Sequence, residues 1–382
     1  MDNLEDKKCY KTRLAPTPSG YLHVGHAFAF KLAHSRAKER GGKLILRLED
    51  LDKTRCADVF YTEIINDLKW LSIDWTLGPP SDGDSIESIK TSLYCQSNRL
   101  HLYEAAWQSL YQHNLVYPCS HSRKAIKRRI TEEVYGDSSS ALGGMRGHPR
   151  SDSISSVSSY SEESSFINAP NEGDAELIYP SSLRPCVTDI DPSLTTPPTH
   201  YSIDGEEKTP VCWRFRVPDH QKVRFYDNNL GEVIFTSGID FGDFVIYTKA
   251  GYPSYELAVV VDDLSMGVTE VVRGRDLLLS TARQILLINA LTGATSSVSE
   301  EGEEYISQNR LEYYHCELVR DKEGVRLSKR DNPRTQLKDL RESGISFEEA
   351  MQKMDDSLSS PSTIFHDDDN IDHAESSGVK DR

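Results

Sequence analysis

Arg13-Leu14-Ala15-Pro16-Thr17-Pro18-Ser19-Gly20-Tyr21-Leu22-His23-Val24-Gly25-His26 is the stretch that sets the fold. Two prolines, a serine and a glycine after an apolar residue end a strand and force a tight loop. Residues 21–40 then read mostly as a helix: Phe30, Ala33 and Ala37 recur at helical spacing, and Gly41-Gly42 supplies the stop. Residues 43–48 alternate, with Leu44, Leu46 and Leu48 on one face and Ile45 and Arg47 on the other, which predicts a strand. Strand, loop, helix, strand is a βαβ unit and implies a parallel sheet.

Working outward, residues 57–71 and 98–114 read as helices, the second leading into Val116-Tyr117-Pro118-Cys119-Ser120-His121. From Val211 the text turns strand-rich: Cys212 to Val217, Val223 to Phe225, and Asp243 to Tyr247. The continuous apolar run Leu257 to Val261, ending in Asp262-Asp263, predicts a central parallel strand whose carboxyl end meets a site. Residues 280–291 predict a helix with Gly293 past its end. Residues 137–166 are Ser-rich without useful period and read as a disordered insertion. The expected division is a polar lead-in 1–11, a first half 12–116, an inserted subdomain 117–210, a second half 211–350, and an acidic disordered tail 355–382.

The chain has 382 residues, 37% of them hydrophobic, and a formal charge of −16. The tail holds eight acids against two bases, which leaves −10 on the rest. Such a balance argues against a broad phosphate-gripping surface but leaves room for a local basic strip. Seven cysteines, odd in number and unevenly spaced, do not form a disulfide framework and fit reduced thiols in a cytoplasm. No apolar run suits a membrane span, and the polar, acidic start suits neither a signal nor a transit peptide.

Two short motifs carry chemistry. His23-Val24-Gly25-His26 lies where a loop opens a helix. A helix start presents unbonded N–H groups and the positive end of the dipole, so it attracts phosphate. Two imidazoles there can donate to phosphate oxygens, and the glycine lets a flat ring approach the backbone. Each motif alone has a bland reading, a capped helix or a solvated basic loop. The second, Val325-Arg326-Leu327-Ser328-Lys329-Arg330, offers a mobile lysine to a pentavalent phosphate whose charge grows in the transition state.

Together the two motifs resemble the HIGH and KMSKS elements that flank the ATP site of the class I aminoacyl-tRNA synthetases. The neighbouring text is similar to the glutamyl branch: residues 13–20, Leu48-Glu49-Asp50-Leu51-Asp52, residues 255–263, and residues 267–274. The resemblance covers most of 13–331 and implies an α/β fold: a Rossmann-like parallel sheet domain with an inserted α+β connective or zinc-type subdomain. It implies ATP binding by His23, Gly25, His26, Ser328 and Lys329, with His23, His26 and Lys329 in the catalytic roles and Mg²⁺ accompanying the ATP. It places glutamate against Arg13, Leu14, Ala15, Pro16, Thr17, Glu49, Tyr255 and Arg273. Charge agrees, since two carboxylates and an ammonium call for arginines and an acid. Arg13 with Glu49 could equally be an ion pair at a strand end.

Only 52 residues follow Arg330, too few for the helical anticodon-binding part of a discriminating glutamyl-tRNA synthetase. The catalytic core alone is similar to the glutamyl-Q tRNA(Asp) synthetases. That resemblance implies glutamate activation with ATP and transfer to the queuosine base of tRNA(Asp), without a membrane or an obligate protein partner. A shortened enzyme charging a tRNA 3′ end and a non-catalytic tRNA- or nucleotide-binding module are the rivals. Family members often hold zinc through C-x-C and Y-x3-C; here Cys119, His121, Tyr179 and Cys186 are the candidates, with Leu183 standing where a cysteine is expected. A degenerate site without metal and a working Zn²⁺ site both remain open at this point.

Overall fold

The computed structural model describes residues 9–81, 85–135, 178–185, 191–203, 205–293, 297–298, 304–307, 310–321, 336–350 and 358–359. The Ser-rich insertion, Cys186, the Ser328-Lys329 motif and almost all of the acidic tail lie outside the described residues. Strand β1 (Lys11–Leu14) runs into the loop that ends at helix α1 (Val24–Glu39), and β2 (Lys43–Leu46) returns parallel to β1, with Arg13 opposite Ile45. The expected βαβ opening is therefore present. Gly41, at φ 58°, turns the chain between α1 and β2 in a conformation that a side chain would resist.

Helices α2 (Asp58–Trp70) and α3 (Leu100–Gln112) follow, then β3 (Val116–Cys119) and α4 (Arg123–Tyr135). Beyond the insertion come β4 (Cys212–Phe215), the hairpin β5 (Lys222–Asp227) and β6 (Gly231–Thr236), and β7 (Phe244–Tyr247). Strands β3, β4 and β7 form an antiparallel sheet, in which Cys119 faces Cys212. Helix α5 (Tyr255–Met266), strand β8 (Glu270–Gly274) and helix α6 (Leu278–Thr292) come next. Strands β9 (Glu304–Ile306) and β10 (Glu312–Cys316) and the short helix α7 (Leu337–Glu342) complete the labelled elements.

Strand β8 pairs parallel with β10, setting Arg273 opposite His315, and the end of β5 pairs parallel with β10 at Asp227 and Tyr313. Strand β1 sits beside the start of β8: the Lys11 amide donates to Thr269 Oγ1 (2.9 Å) and the Thr269 amide to the Lys11 carbonyl (2.8 Å). The parallel pair β2–β1 thus adjoins the parallel strands β8, β10 and β5 of a second sheet, and the carboxyl ends of such strands are the side on which open α/β sheets bind ligands. One apolar cluster, around Tyr103, Trp107, Trp213 and Ile285, lies on one side of these strands. Another, around Leu14, Leu46, Ile64 and Leu68, lies on the other. Trp107 stacks on Tyr111 (ring centroids 4.9 Å apart, 8° between planes) and Trp213 meets Trp107 edge-on.

One sequence expectation is overturned. Leu257 to Val261 belongs to helix α5 and not to a central strand. Ser254 caps the helix by accepting from the Leu257 amide, and Gly267, at φ 67°, closes it in the left-handed conformation. Every residue from Tyr255 to Asp263 is buried, because the helix packs against α6, α3 and β7. A helix enclosed on all sides is apolar all round and so reads, over five residues, like a buried strand.

Candidate active site

The site forms where β1, β2, α1, α5 and β8 converge. His23 is the cap residue of α1. Its Nδ1 accepts from the Gly25 amide (3.1 Å), and His26 Nδ1 accepts from the His23 amide (3.1 Å). A neutral imidazole that accepts at one nitrogen carries its proton on the other, so both rings are Nε2–H tautomers. The rings lie 3.8 Å apart at 40°. A Cβ on Gly25 would come within 3.0–3.1 Å of the His23 ring, which explains the glycine between the two histidines. The two imidazoles thus sit at the positive end of the helix dipole, where they already satisfy the His23 and Gly25 amides.

The chain returns to this helix start after the second motif. Gln336 forms an antiparallel bridge with His23, and the Leu337 amide donates to the Leu22 carbonyl (2.9 Å). Lys329 precedes Gln336 by seven residues, a span of at most about 25 Å. Helix α7 is then anchored on α2 by Arg341, which pairs with Glu63 (2.6 Å) and approaches Asp67 (3.4 Å).

Beside the helix start lies a buried cluster of charges. Arg47, fully buried, donates to Asp263 (2.5 Å) and Glu49 (3.2 Å) and approaches Asp262 (3.7 Å). Arg13 Nε shares Asp263 (3.3 Å), and its Nη1 donates to the Val272 carbonyl (3.3 Å). Burial pushes the Glu49 carboxyl above its ordinary value, with Arg47 and Arg13 opposing the shift. Asp263 is held below the usual carboxylate range: burial works against that, and Arg13 and Arg47 outweigh it. Asp262 accepts from Gln96, Arg99 and Tyr103. The loop 14–18 is laid along this cluster by backbone bonds from the Arg47 amide to Leu14 and from the Glu49 amide to Pro16.

Arg273 completes the cluster from β8. Its Nη1 donates to the Tyr255 hydroxyl (3.4 Å), and burial pushes that hydroxyl up to about 12, with Arg273 opposing, so it stays protonated. Of the sequence candidates, the structure brings together Arg13, Glu49, Tyr255, Arg273 and residues 14–17, and sets His23, Gly25 and His26 at the adjoining helix start. Arg47, Asp263 and His315 were missed by sequence reasoning. For Arg47 and Asp263 the signal was a charged residue inside an apolar alternation, Leu44 to Leu48, and an acid pair ending an apolar run: buried charges that require each other.

The zinc candidates Cys119, His121 and Tyr179 also meet. Cys119 Sγ lies 3.6 Å from His121 Nδ1 and 3.4 Å from the Tyr179 hydroxyl, which is 3.1 Å from His121 Nδ1. Arg214 Nε stands 3.4 Å from Cys119 Sγ, and its guanidinium covers the Tyr179 ring at 4.2 Å. Cys119 is held well below the ordinary thiol value, first by the Cys212 thiol and then by His121 and Arg214 against the effect of burial. Three of the four candidates therefore converge, with a guanidinium facing the sulfur, and Cys186, the fourth, lies outside the described residues. Among the described residues no group of three or more His, Cys, Asp or Glu could hold a metal. No described helix is long and apolar enough to cross a membrane.

The family model described as tRNA synthetases class I (E and Q), catalytic domain, matches residues 10–151 and 194–354. The glutamyl-Q tRNA(Asp) synthetase of Symbiobacterium thermophilum is 34% identical over 336 residues, covering 88% of this chain and 82% of its own length. That of Rhodopirellula baltica is 34% identical, covering 87% and 80%. Among solved structures, a glutamate tRNA ligase from Elizabethkingia meningosepticum, in complex with its amino acid, shares the fold with a TM-score of 0.55 at 24% identity. It is matched over 84% of this chain and 52% of its own.

Proposed function

The chain belongs to the class I family of glutamate- and glutamine-type tRNA synthetases, and from that premise we propose that it works as a glutamyl-Q tRNA(Asp) synthetase. In this reading it activates glutamate with ATP to glutamyl-adenylate, then passes glutamate to the queuosine base in the anticodon of tRNA(Asp). The observation that carries the reading is the buried meeting of Arg13, Glu49, Tyr255 and Arg273, from separate stretches of chain, beside a helix start with two Nε2–H imidazoles. That set supplies cations for carboxylates, an acid for an ammonium, and donors for a triphosphate in one place.

The mechanism needs no protein nucleophile. The glutamate α-carboxylate attacks the α-phosphorus of ATP, the bond to the bridging oxygen breaks, and pyrophosphate leaves. His23 and His26 hydrogen-bond phosphate oxygens through Nε2–H, and Lys329 meets the charge that grows on the transferring phosphate. Mg²⁺ bound with the ATP would neutralise phosphate charge. Glu49 faces the ammonium and Arg273 the side-chain carboxylate. The adenylate then acylates a hydroxyl on the RNA and releases AMP.

The test offers labelled glutamate and ATP with queuosine-containing tRNA(Asp), queuosine-lacking tRNA(Asp) and tRNA(Glu). The reading expects label on the first alone. Label on tRNA(Glu) alone refutes it.

A further inference from the structure

We infer that Asp227 and His315, together with Thr281, form a positioning frame that aims Arg273 at the side-chain carboxylate of the amino acid and so sets the preference for an acid over an amide; this rests on the function proposed above. The frame is visible as a chain of short contacts. Asp227 Oδ2 receives the His315 Nδ1–H at 2.6 Å and the His315 amide at 3.0 Å. With its proton on Nδ1, His315 accepts at Nε2, and Arg273 Nε stands 3.2 Å away as the donor. Thr281 Oγ1 accepts from Arg273 Nη2 at 2.7 Å and lies 3.0 Å from His315 Nε2. Asp227 is itself fixed by the Asn229 and Leu230 amides at 3.0 and 2.9 Å.

The electrostatics fit a neutral frame. Burial lowers His315 to about 4, with Asp227 opposing and Arg273 adding to the shift, so the ring is uncharged at neutral pH. Asp227 stays below the usual carboxylate range: burial would raise it, and the His315 bond and the backbone amides outweigh that. Asp227, His315 and Thr281 are fully buried, and Arg273 is 5% exposed.

Two features turn this frame into a ligand argument. First, the three groups that hold Arg273 are an imidazole, a phenol and a hydroxyl, all neutral, and among the described residues no carboxylate lies within ion-pair distance of it. Arg47 contrasts with this, facing Asp263, Asp262 and Glu49. Asp263 acts on Arg273 only as a charge at longer range, so an anionic ligand supplies the direct counter-charge that a buried guanidinium calls for. Second, a guanidinium has five N–H donors. Three are engaged here. The two that remain, one on each terminal nitrogen, match the two oxygens of a carboxylate. An amide offers one oxygen and repels the second donor with its own N–H groups, so the frame discriminates by an unpaired buried polar group.

The test compares wild type, His315→Leu, His315→Gln and Thr281→Val in amino-acid-dependent pyrophosphate exchange, with glutamate and with glutamine as substrate. Glutamine at 315 reaches the place of the imidazole Nε2 and can still accept from Arg273; leucine cannot. The expected result for His315→Leu is a KM for glutamate raised about 10- to 100-fold, an equal fall in the glutamate-over-glutamine ratio of kcat/KM, and an unchanged KM for ATP. His315→Gln should recover most of both losses. Thr281→Val, close to isosteric, should raise the glutamate KM about 5-fold and carries the test if the leucine variant does not fold. Unchanged glutamate preference in the Leu and Val variants, or a Gln variant as poor as Leu, overturns the inference. Absence of glutamate-dependent exchange in the wild type instead removes the proposed function, and the inference with it.

Discussion

Replacing Arg47 by methionine tests whether the charge cluster is a mutually dependent unit. Arg47 is fully buried and donates to Asp263 and Glu49. Methionine keeps the unbranched apolar stem and removes both bonds. Asp263 retains Arg13 at 3.3 Å. Glu49 loses its hydrogen-bond partner among the described residues. Breaking a buried pair by removing one member costs about 3–5 kcal/mol, because a charge stays buried and uncompensated. For a chain of this size that is a fall in Tm of about 6–10 °C, at roughly 2 °C per kcal/mol. The pH dependence follows from Glu49, whose carboxyl burial already raises. Without Arg47 it rises further. A raised folded-state value means that the fold holds the proton more tightly than the unfolded chain, so the contribution is present at low pH and lost as pH rises through that value. The deficit of Arg47→Met should therefore be largest at pH 8 and smaller at pH 5.5. Scanning calorimetry of both proteins at both pH values reads this directly. A Tm within 2 °C of wild type at pH 8, or a deficit that grows on acidification, would refute the reasoning.

Other outcomes follow from single contacts. Lys329→Ala should slow adenylate formation about 10²-fold or more in single-turnover assays, as removal of a transition-state charge does; unchanged turnover removes that role. Gly25→Ala puts a methyl 3.0–3.1 Å from the His23 ring and should raise the KM for ATP about 10-fold with little change in Tm, on the scale of one lost phosphate contact. Burial lifts the Asp67 carboxyl to about 7, with Arg341 opposing. Its contribution is present below the ordinary carboxylate value and lost as pH rises through 7, so Asp67→Asn should stabilise by about 1 kcal/mol at pH 8 and by little at pH 5 in urea unfolding.

How far the sequence could be read depended on whether its signals were local. Residues 13–26 announce a strand, a loop and a helix start within one short window, and the structure has all three. Helix α6 was legible from its periodicity and Gly293, which adopts φ 69° at its end. Helix α5 was misread because the surroundings that make it apolar all round are other elements, which no window of its own sequence contains. Arg13, Glu49, Tyr255 and Arg273 were found through resemblance. Arg47, Asp263, Asp227 and His315 act through partners as far as 250 residues away. Cys119, His121 and Tyr179 lie within reach of one another, yet Arg214, on a neighbouring strand, stands where no spacing rule could have placed it.

The most direct test of the central claim is pyrophosphate exchange by the purified full chain with ATP and each of the amino acids in turn. The account predicts exchange with glutamate, and glutamine weaker by at least about 10-fold. Exchange driven by a neutral or basic amino acid, or none with glutamate in a folded sample, would contradict it.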